Sequence, residues 1–237
     1  RSFLLPSGEK SKDAPKSAAE ALGTFGTAFG SFFTEKKDIA LMIAFAYFYR
    51  FGVGLLDKIG PLFLLDARAN GGLGLSNETM GAVIGTYGTI GFLLASVLGG
   101  WFVSAFGLKR WTLIFLCLCM NVPNATFLYL ATARPESQAI ITTVIFIEKF
   151  GYGFGAVAHM LYMMQQIAPG RFKTAHYAFA TGIMGLCMMS TGSASGLIQA
   201  AVGYQSFFVI VLVCAIPSVL ACVFAPFHHS VEPRTRK

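Results

Sequence analysis

The chain has 237 residues, of which 55% are hydrophobic, 14% aromatic and only 12% charged, whereas ordinary soluble domains carry about 25% charged and 45–50% apolar residues. With a mean hydropathy of +0.63, this excludes disordered, collagen-like and disulfide-stapled secreted chains and points to a membrane protein. The formal net charge of +7 finds its explanation in membrane orientation, below, and requires no nucleic-acid partner.

The first residue is Arg1, with neither Met nor the basic, apolar and small-residue regions of a signal peptide, so the start reads as a piece of something longer. Residues 6 to 20 are rich in Lys, Ser, Ala and Pro, as expected of a cytoplasmic linker. Leu22, Phe25, Phe29, Phe32 and Phe33 then recur at helical spacing, which predicts a short helix lying on the membrane surface. Gly23, Gly26 and Gly30 weaken helix formation and keep a loosely ordered linker open as the alternative. The expected organisation is a linker over 1–37, a transmembrane bundle over 38–226 and a cytoplasmic tail over 227–237.

A bilayer core about 30 Å thick needs roughly 20 apolar residues in helix. Six stretches qualify: 39–64, 80–105, 111–132, 138–167, 176–202 and 205–226. Long apolar runs favour helices over strands, because an open sheet leaves backbone groups unpaired in lipid. The expected fold class is therefore all-α and polytopic, with six transmembrane helices. Cytoplasmic loops retain excess Lys and Arg. With the N-terminus inside, the inner segments hold Arg1, Lys10, Lys12, Lys16, Lys36, Lys37, Lys109, Arg110, Arg171, Lys173, Arg234, Arg236 and Lys237, and the outer loops only Arg68 and Arg134. Both termini are expected in the cytoplasm.

An ionisable side chain at mid-membrane is costly, about 2.5–3.5 kcal/mol on the translocon scale, so it normally faces a cavity or a partner. Arg50, Asp57 and Lys58 lie in the first span and Glu148 and Lys149 in the fourth, while the other four spans have no Asp, Glu, Lys or Arg in their interiors. At 1.5 Å per residue, Arg50 falls about 17 Å and Glu148 about 15 Å inside their spans, which enter from opposite sides. The two therefore share a depth, and a pair across a cavity is the leading expectation, with a permanent ion pair that only ties two helices together as the alternative. Glu148, Tyr152, Gly155, His159, Tyr162 and Gln166 recur every three or four residues, as do Tyr47, Arg50, Gly54, Asp57 and Pro61. Such polar stripes line water-filled paths. Asp57 and Lys58 sit nearer the outer surface, where a snorkelling boundary role and a functional one are both open. His159 is expected near the inner mouth as a cavity-wall residue, and Lys149 should point about 100° away from Glu148 toward another helix.

Gly81, Gly85 and Gly88, with Gly151, Gly153 and Gly155, are read as sites of close helix contact or local unwinding. The run from Gly151 to Gly155 is no nucleotide fingerprint, since it lies mid-span without a preceding strand. Cys117, Cys119, Cys187, Cys214 and Cys222 lie in apolar stretches without metal-knuckle spacing. No nucleophile elbow, paired-His zinc motif or P-loop occurs, so neither an enzyme nor a bound metal or cofactor is expected.

Six helices with polar first and fourth members behind a basic linker resemble the C-terminal half of a major facilitator superfamily carrier. The segment from Gly100 to Arg110 resembles that family's cytoplasmic loop motif, but Ser104 and Leu108 stand where Asp and Arg are usual. Several stretches resemble the AmpG-type muropeptide permeases and the related peptide, acetyl-coenzyme A and drug transporters. These run from Phe48 to Gly52, Phe63 to Asp66, Ile147 to Gly155, Phe172 to Ala178, Gly203 to Phe208 and Ala215 to Pro217. Val53 stands where the family commonly has an acid, and Asp57 is one turn further on.

The resemblance implies proton-driven import of anhydromuropeptides across the cell inner membrane for cell-wall recycling, with a six-helix N-terminal half as partner. Candidate substrate and coupling residues are Arg50, Glu148, Asp57, Tyr47, Tyr49, Tyr152, His159, Tyr162 and Gln166. The five intramembrane charges sum to +1, which suits an anionic glycopeptide, and Tyr47, Tyr49, Tyr152 and Tyr162 suit stacking on sugar rings. The readings kept beside this one are a carrier of another anionic solute and a non-transporting membrane receptor or scaffold.

Overall fold

The computed structural model describes residues 17–229. The expected linker from Arg1 to Lys16 and the tail from residue 230 onward lie outside the described residues. The chain divides into two compact units, Arg1–Lys37 and Asp38–Lys237.

In the first unit a single helix, α1 (Ala18–Thr34), forms despite its three glycines. Ser17 caps it by accepting the Glu20 N–H at 3.2 Å. The hydroxyls of Thr24, Thr27 and Thr34 each donate to the carbonyl four residues back, two of those carbonyls belonging to Gly23 and Gly30. Phe25 stacks on Phe29, and Phe29 meets Phe33 edge-on at 5.0 Å. Of the expected aromatic face, Leu22, Phe25, Phe29 and Phe33 are exposed, whereas Phe32 is buried.

In the second unit five helices are long and apolar enough to cross a membrane: α2 (Ile39–Leu65), α3 (Asn77–Phe106), α4 (Arg110–Ala133), α5 (Gln138–Ile167) and α6 (Lys173–Phe224). Among the described residues there is no strand. The expected spans 176–202 and 205–226 both fall within α6, whose 52 residues exceed any single crossing. At Gly203, φ 75° and ψ 171° break it, a conformation open to glycine and strained for other residues. Tyr204 just past the break reaches Asp66 at the far end of α2, and Ser218 then bonds the Phe48 carbonyl halfway back. The stretch after Gly203 therefore runs antiparallel to α2.

Both ends of the bundle are tied by specific bonds. At one end Arg68 donates to the carbonyls of Arg134 and Pro135 at 2.9 and 2.8 Å, and Arg134 donates to the Arg68 carbonyl at 3.0 Å. Asp66 accepts from Asn70, Tyr204 and the Ala67 N–H. These bonds hold its carboxyl below the ordinary carboxylate range, Asn70 contributing most. At the other end Asp38 pairs with His228 at 3.1 Å and Arg110 lies over the Phe227 ring.

Phe63, Phe127, Tyr204, Phe207 and Phe208 belong to one buried apolar cluster, with Phe63 5.1 Å edge-on to Phe208. Lipid tails are as apolar as leucine, so helix association here rests on close van der Waals packing rather than on escape from water. The glycines supply that closeness. A Cβ at Gly153 would overlap the Phe92 carbonyl on α3, and one at Gly155 the Leu116 carbonyl on α4. Gly151 packs likewise on Cys119 and Pro123. The run from Gly151 to Gly155 is thus where α5 touches both neighbours. Gly81 to Gly88 is the locally widened opening of α3, a π-helical stretch, while Gly81 and Gly85 themselves face open space.

Candidate functional site

The centre of the unit is marked by a defect in α2. Its helix stops at Phe48 and resumes at Phe51, with Arg50 at φ −110° and ψ 21° between the two parts. Pro61, further along, has no N–H to give to the carbonyl one turn back. A helix that is irregular at a half-buried cation marks a place where backbone regularity yields to side-chain placement.

Arg50 donates to the Tyr152 hydroxyl and, at 3.6 Å, to the Met184 sulfur. Its guanidinium lies 5.0 Å from the Tyr152 ring centre, and the Lys149 ammonium lies 5.8 Å from the same ring. Tyr152 thereby lies close to two cations, and cation–π attraction strengthens in a dry site. Phe92 of α3 stacks on it at 5.5 Å. Glu148, 1% exposed, pairs with Lys149 at 3.1 Å. Val53, Leu56, Asp57, Glu148, Lys149 and Tyr152 line one narrow niche.

The expected Arg50–Glu148 pair does not form; among the described residues the ion pairs are Glu148 with Lys149 and Asp38 with His228. The depth estimate misses by one helical turn, for Arg50 meets Tyr152, four residues beyond Glu148. Lys149 does not turn away from Glu148 either. Adjacent helical residues point about 100° apart, but the four-carbon lysine stem passes over Gly88, where a Cβ would lie 3.1 Å from it, and its ammonium reaches back. Gly88 sits at the end of the π-helical stretch, so that irregularity makes room for the pair.

The other candidates separate into two groups. Tyr47 shares a 2.7 Å hydrogen bond with Ser190 of α6 and belongs to the same seam as Arg50. Asp57 lines the niche and also a second groove, of about 440 Å³, with Lys58, Met188, Met189, Gly192 and Ser193. Tyr49, His159, Tyr162 and Gln166 are instead taken up by packing. Tyr49 donates to the Gly155 carbonyl at 2.9 Å and stacks on His159, whose ring also meets Phe45. His159 is thus enclosed by aromatic rings rather than set in a cavity wall. Tyr162 donates to the Pro226 carbonyl. Gln166 accepts the N–H groups of His228 and His229 at 2.9 and 3.0 Å and donates to the His229 carbonyl.

The residues the sequence did not single out are on α6: Met184, Met188, Ser190 and Ser193. The signal for the two serines was the hydroxyl-rich run from Ser190 to Gly196 in an otherwise apolar span, which carries no charge, and the two methionines left none. Among the described residues no three His, Cys, Asp or Glu lie close enough together to hold a metal ion.

No protein-family model matches the chain. The chain is 20% identical over 203 residues to a Rickettsia conorii protein named "Putative transporter AmpG 4", covering 86% of this chain and 47% of that one. It is 24% identical over 215 residues to a Rickettsia typhi protein named "Putative transporter AmpG 2", covering 89% and 49%. A Haemophilus influenzae protein with no assigned role is 27% identical over 202 residues, covering 81% and 45%. The chain spans about half the length of the curated relatives it matches. Five apolar helices and relatives named as AmpG transporters point together to a multi-pass membrane protein similar in sequence to the AmpG group.

Proposed function

We propose that the chain forms half of a proton-coupled secondary carrier of the cell inner membrane, crossing it six times with both described ends in the cytoplasm. The proposed solute is an anionic glycopeptide of the anhydromuropeptide type, taken from periplasm to cytoplasm for cell-wall recycling. A six-helix N-terminal half closes the other side of the cavity. The break at Gly203 supports six crossings, since it divides a helix too long for one. The AmpG names of the relatives support the carrier reading, and they belong to proteins about twice as long as this chain.

The observation that carries the mechanism is the Glu148–Lys149 pair beside the Arg50–Tyr152 contact. A proton arriving on Glu148 removes the partner of Lys149. Leaving that ammonium alone in the membrane interior costs about 2.5–3.5 kcal/mol on the translocon scale, so a carboxylate on the solute is favoured as its replacement. Arg50, whose hydrogen bonds among the described residues go to a phenol and a thioether, gains a stronger charge-assisted partner from the same solute. Proton and anion therefore favour each other's binding, and the coupled state biases the rocking of one bundle against the other.

In right-side-out vesicles carrying the chain with its N-terminal half, Glu148→Gln should abolish gradient-driven anhydromuropeptide accumulation while leaving the amount of folded protein unchanged. Accumulation equal to the parent's contradicts the coupling role. Saturable binding without accumulation in the parent favours the receptor reading instead.

A further inference from the structure

The groove between α2 and the fifth expected span is absorbed neither by the Glu148–Lys149 pair nor by the Arg50–Tyr152 contact. Asp57 and Lys58 are adjacent, oppositely charged and exposed, and both line it. Neither belongs to an ion pair among the described residues. The Lys58 stem lies along Gly192, where a Cβ would stand 3.2 Å from it. That glycine lets the lysine stem lie flat on the neighbouring helix. One turn earlier a Cβ at Gly54 would overlap the Thr191 hydroxyl, so the two helices touch just before the groove opens.

The groove's third polar group is the Ser193 hydroxyl. It donates to the Met189 carbonyl at 2.8 Å, which leaves its oxygen lone pairs to accept from a ligand. Met188 and Met189 form the remaining wall, and unbranched thioethers accommodate side chains of varied shape. The groove is thus lined by a carboxylate, a hydroxyl acceptor and an ammonium donor.

We propose that this groove is a subsite for a zwitterionic amino-acid or peptide group, whose ammonium is held by Asp57 and Ser193 and whose carboxylate is held by Lys58. A singly charged ligand leaves one of the two intramembrane charges facing its own sign or nothing. A zwitterion matches both. Asp57 also lines the niche of Glu148 and Tyr152, so the groove and the niche share this carboxylate. The inference rests on the carrier reading for its place in a transport cycle, but not for binding itself.

The test uses the full chain in lipid nanodiscs with Met189→Cys, on the groove wall, following alkylation at position 189 by peptide mass spectrometry. The probes are D-alanyl-D-alanine, its N-acetyl derivative and its C-terminal amide. At a concentration well above its Kd, the zwitterion should slow alkylation about tenfold, whereas the two singly charged forms should not. Asp57→Asn and Lys58→Met should each remove the protection. Equal protection by all three probes, no protection by any, or protection that survives both substitutions overturns the subsite. Zwitterion protection together with failed vesicle accumulation would leave the subsite standing and contradict the carrier. Accumulation without zwitterion protection would do the reverse.

Discussion

The two halves of α5 carry the same kind of polar stripe and use it in opposite ways. From Gly155 to Gln166 the side-chain hydrogen bonds end on backbone, Tyr162 on the Pro226 carbonyl and Gln166 on residues 228 and 229, the Gly155 carbonyl takes the Tyr49 hydroxyl of α2, and His159 is packed among rings. From Glu148 to Tyr152 they end on long, charged side chains, Lys149 and Arg50. A backbone partner is fixed by the fold, so such bonds hold one arrangement. A lysine or arginine partner can be exchanged for a ligand without unfolding anything. The difference between a packing stripe and a working one therefore lies in what the polar groups meet, not in their spacing.

The largest effect expected from this contrast is functional. Arg50→Met should reduce uptake about a hundredfold or more, as loss of one partner of a largely desolvated charge contact does, whereas Gln166→Leu should leave the initial uptake rate within about twofold of the parent. Comparable losses in both, measured in the same vesicles, would erase the distinction between the two halves.

A structural effect comes next. Gly155→Leu places side-chain atoms where the Leu116 carbonyl and Met120 already sit. It should destabilise the fold by about 1–3 kcal/mol, the range for overpacking, and lower the detergent-resistant fraction on heating. Gly81→Ala, which meets open space, should leave that fraction unchanged.

A smaller loss is expected of Tyr49→Phe. Removing the hydroxyl leaves the buried Gly155 carbonyl without this donor, at a cost of about 1 kcal/mol. Stability should fall while the pH dependence of uptake stays that of the parent. A shifted pH profile would make Tyr49 part of the coupling machinery after all.

The smallest effect lies at the loop end. The folded value of Asp66 is depressed by its Asn70, Tyr204 and Ala67 donors. Its contribution is therefore present above the ordinary carboxylate value, about 3.9, and is lost as pH falls through the depressed one. Acidification below pH ~3.9 should increase proteolysis of the loop at Gly71 and Gly72 in the parent more than in Asp66→Asn, which lacks this titration. Equal change in both would show that the loop does not depend on the carboxylate.

Much of the fold was legible because lipid imposes long apolar helices, and the runs 39–64 and 138–167 mark their helices to within a residue or so. Gly203 was legible as the point where one apolar stretch gives way to the next. The site was legible only in depth. Period places Tyr152 and Tyr162 on one face of α5 but does not say that one meets a guanidinium and the other a carbonyl. The Glu148–Lys149 pair escaped because helical projection fixes where a Cβ points and not where a lysine stem ends. Ser190 and Ser193 escaped because an uncharged hydroxyl can satisfy itself on its own helix, as Ser193 does on Met189, and so leaves no energetic anomaly to notice.

The exchange of Lys149 from Glu148 to an incoming anion is tested most directly by the pH dependence of anhydromuropeptide binding in the parent and in Glu148→Gln. Between about pH 7.5 and 5.5 the parent's affinity should rise about fivefold or more, the lower range of ordinary coupling energies, and the variant's affinity should be high and flat. The same rise in both proteins would contradict the exchange.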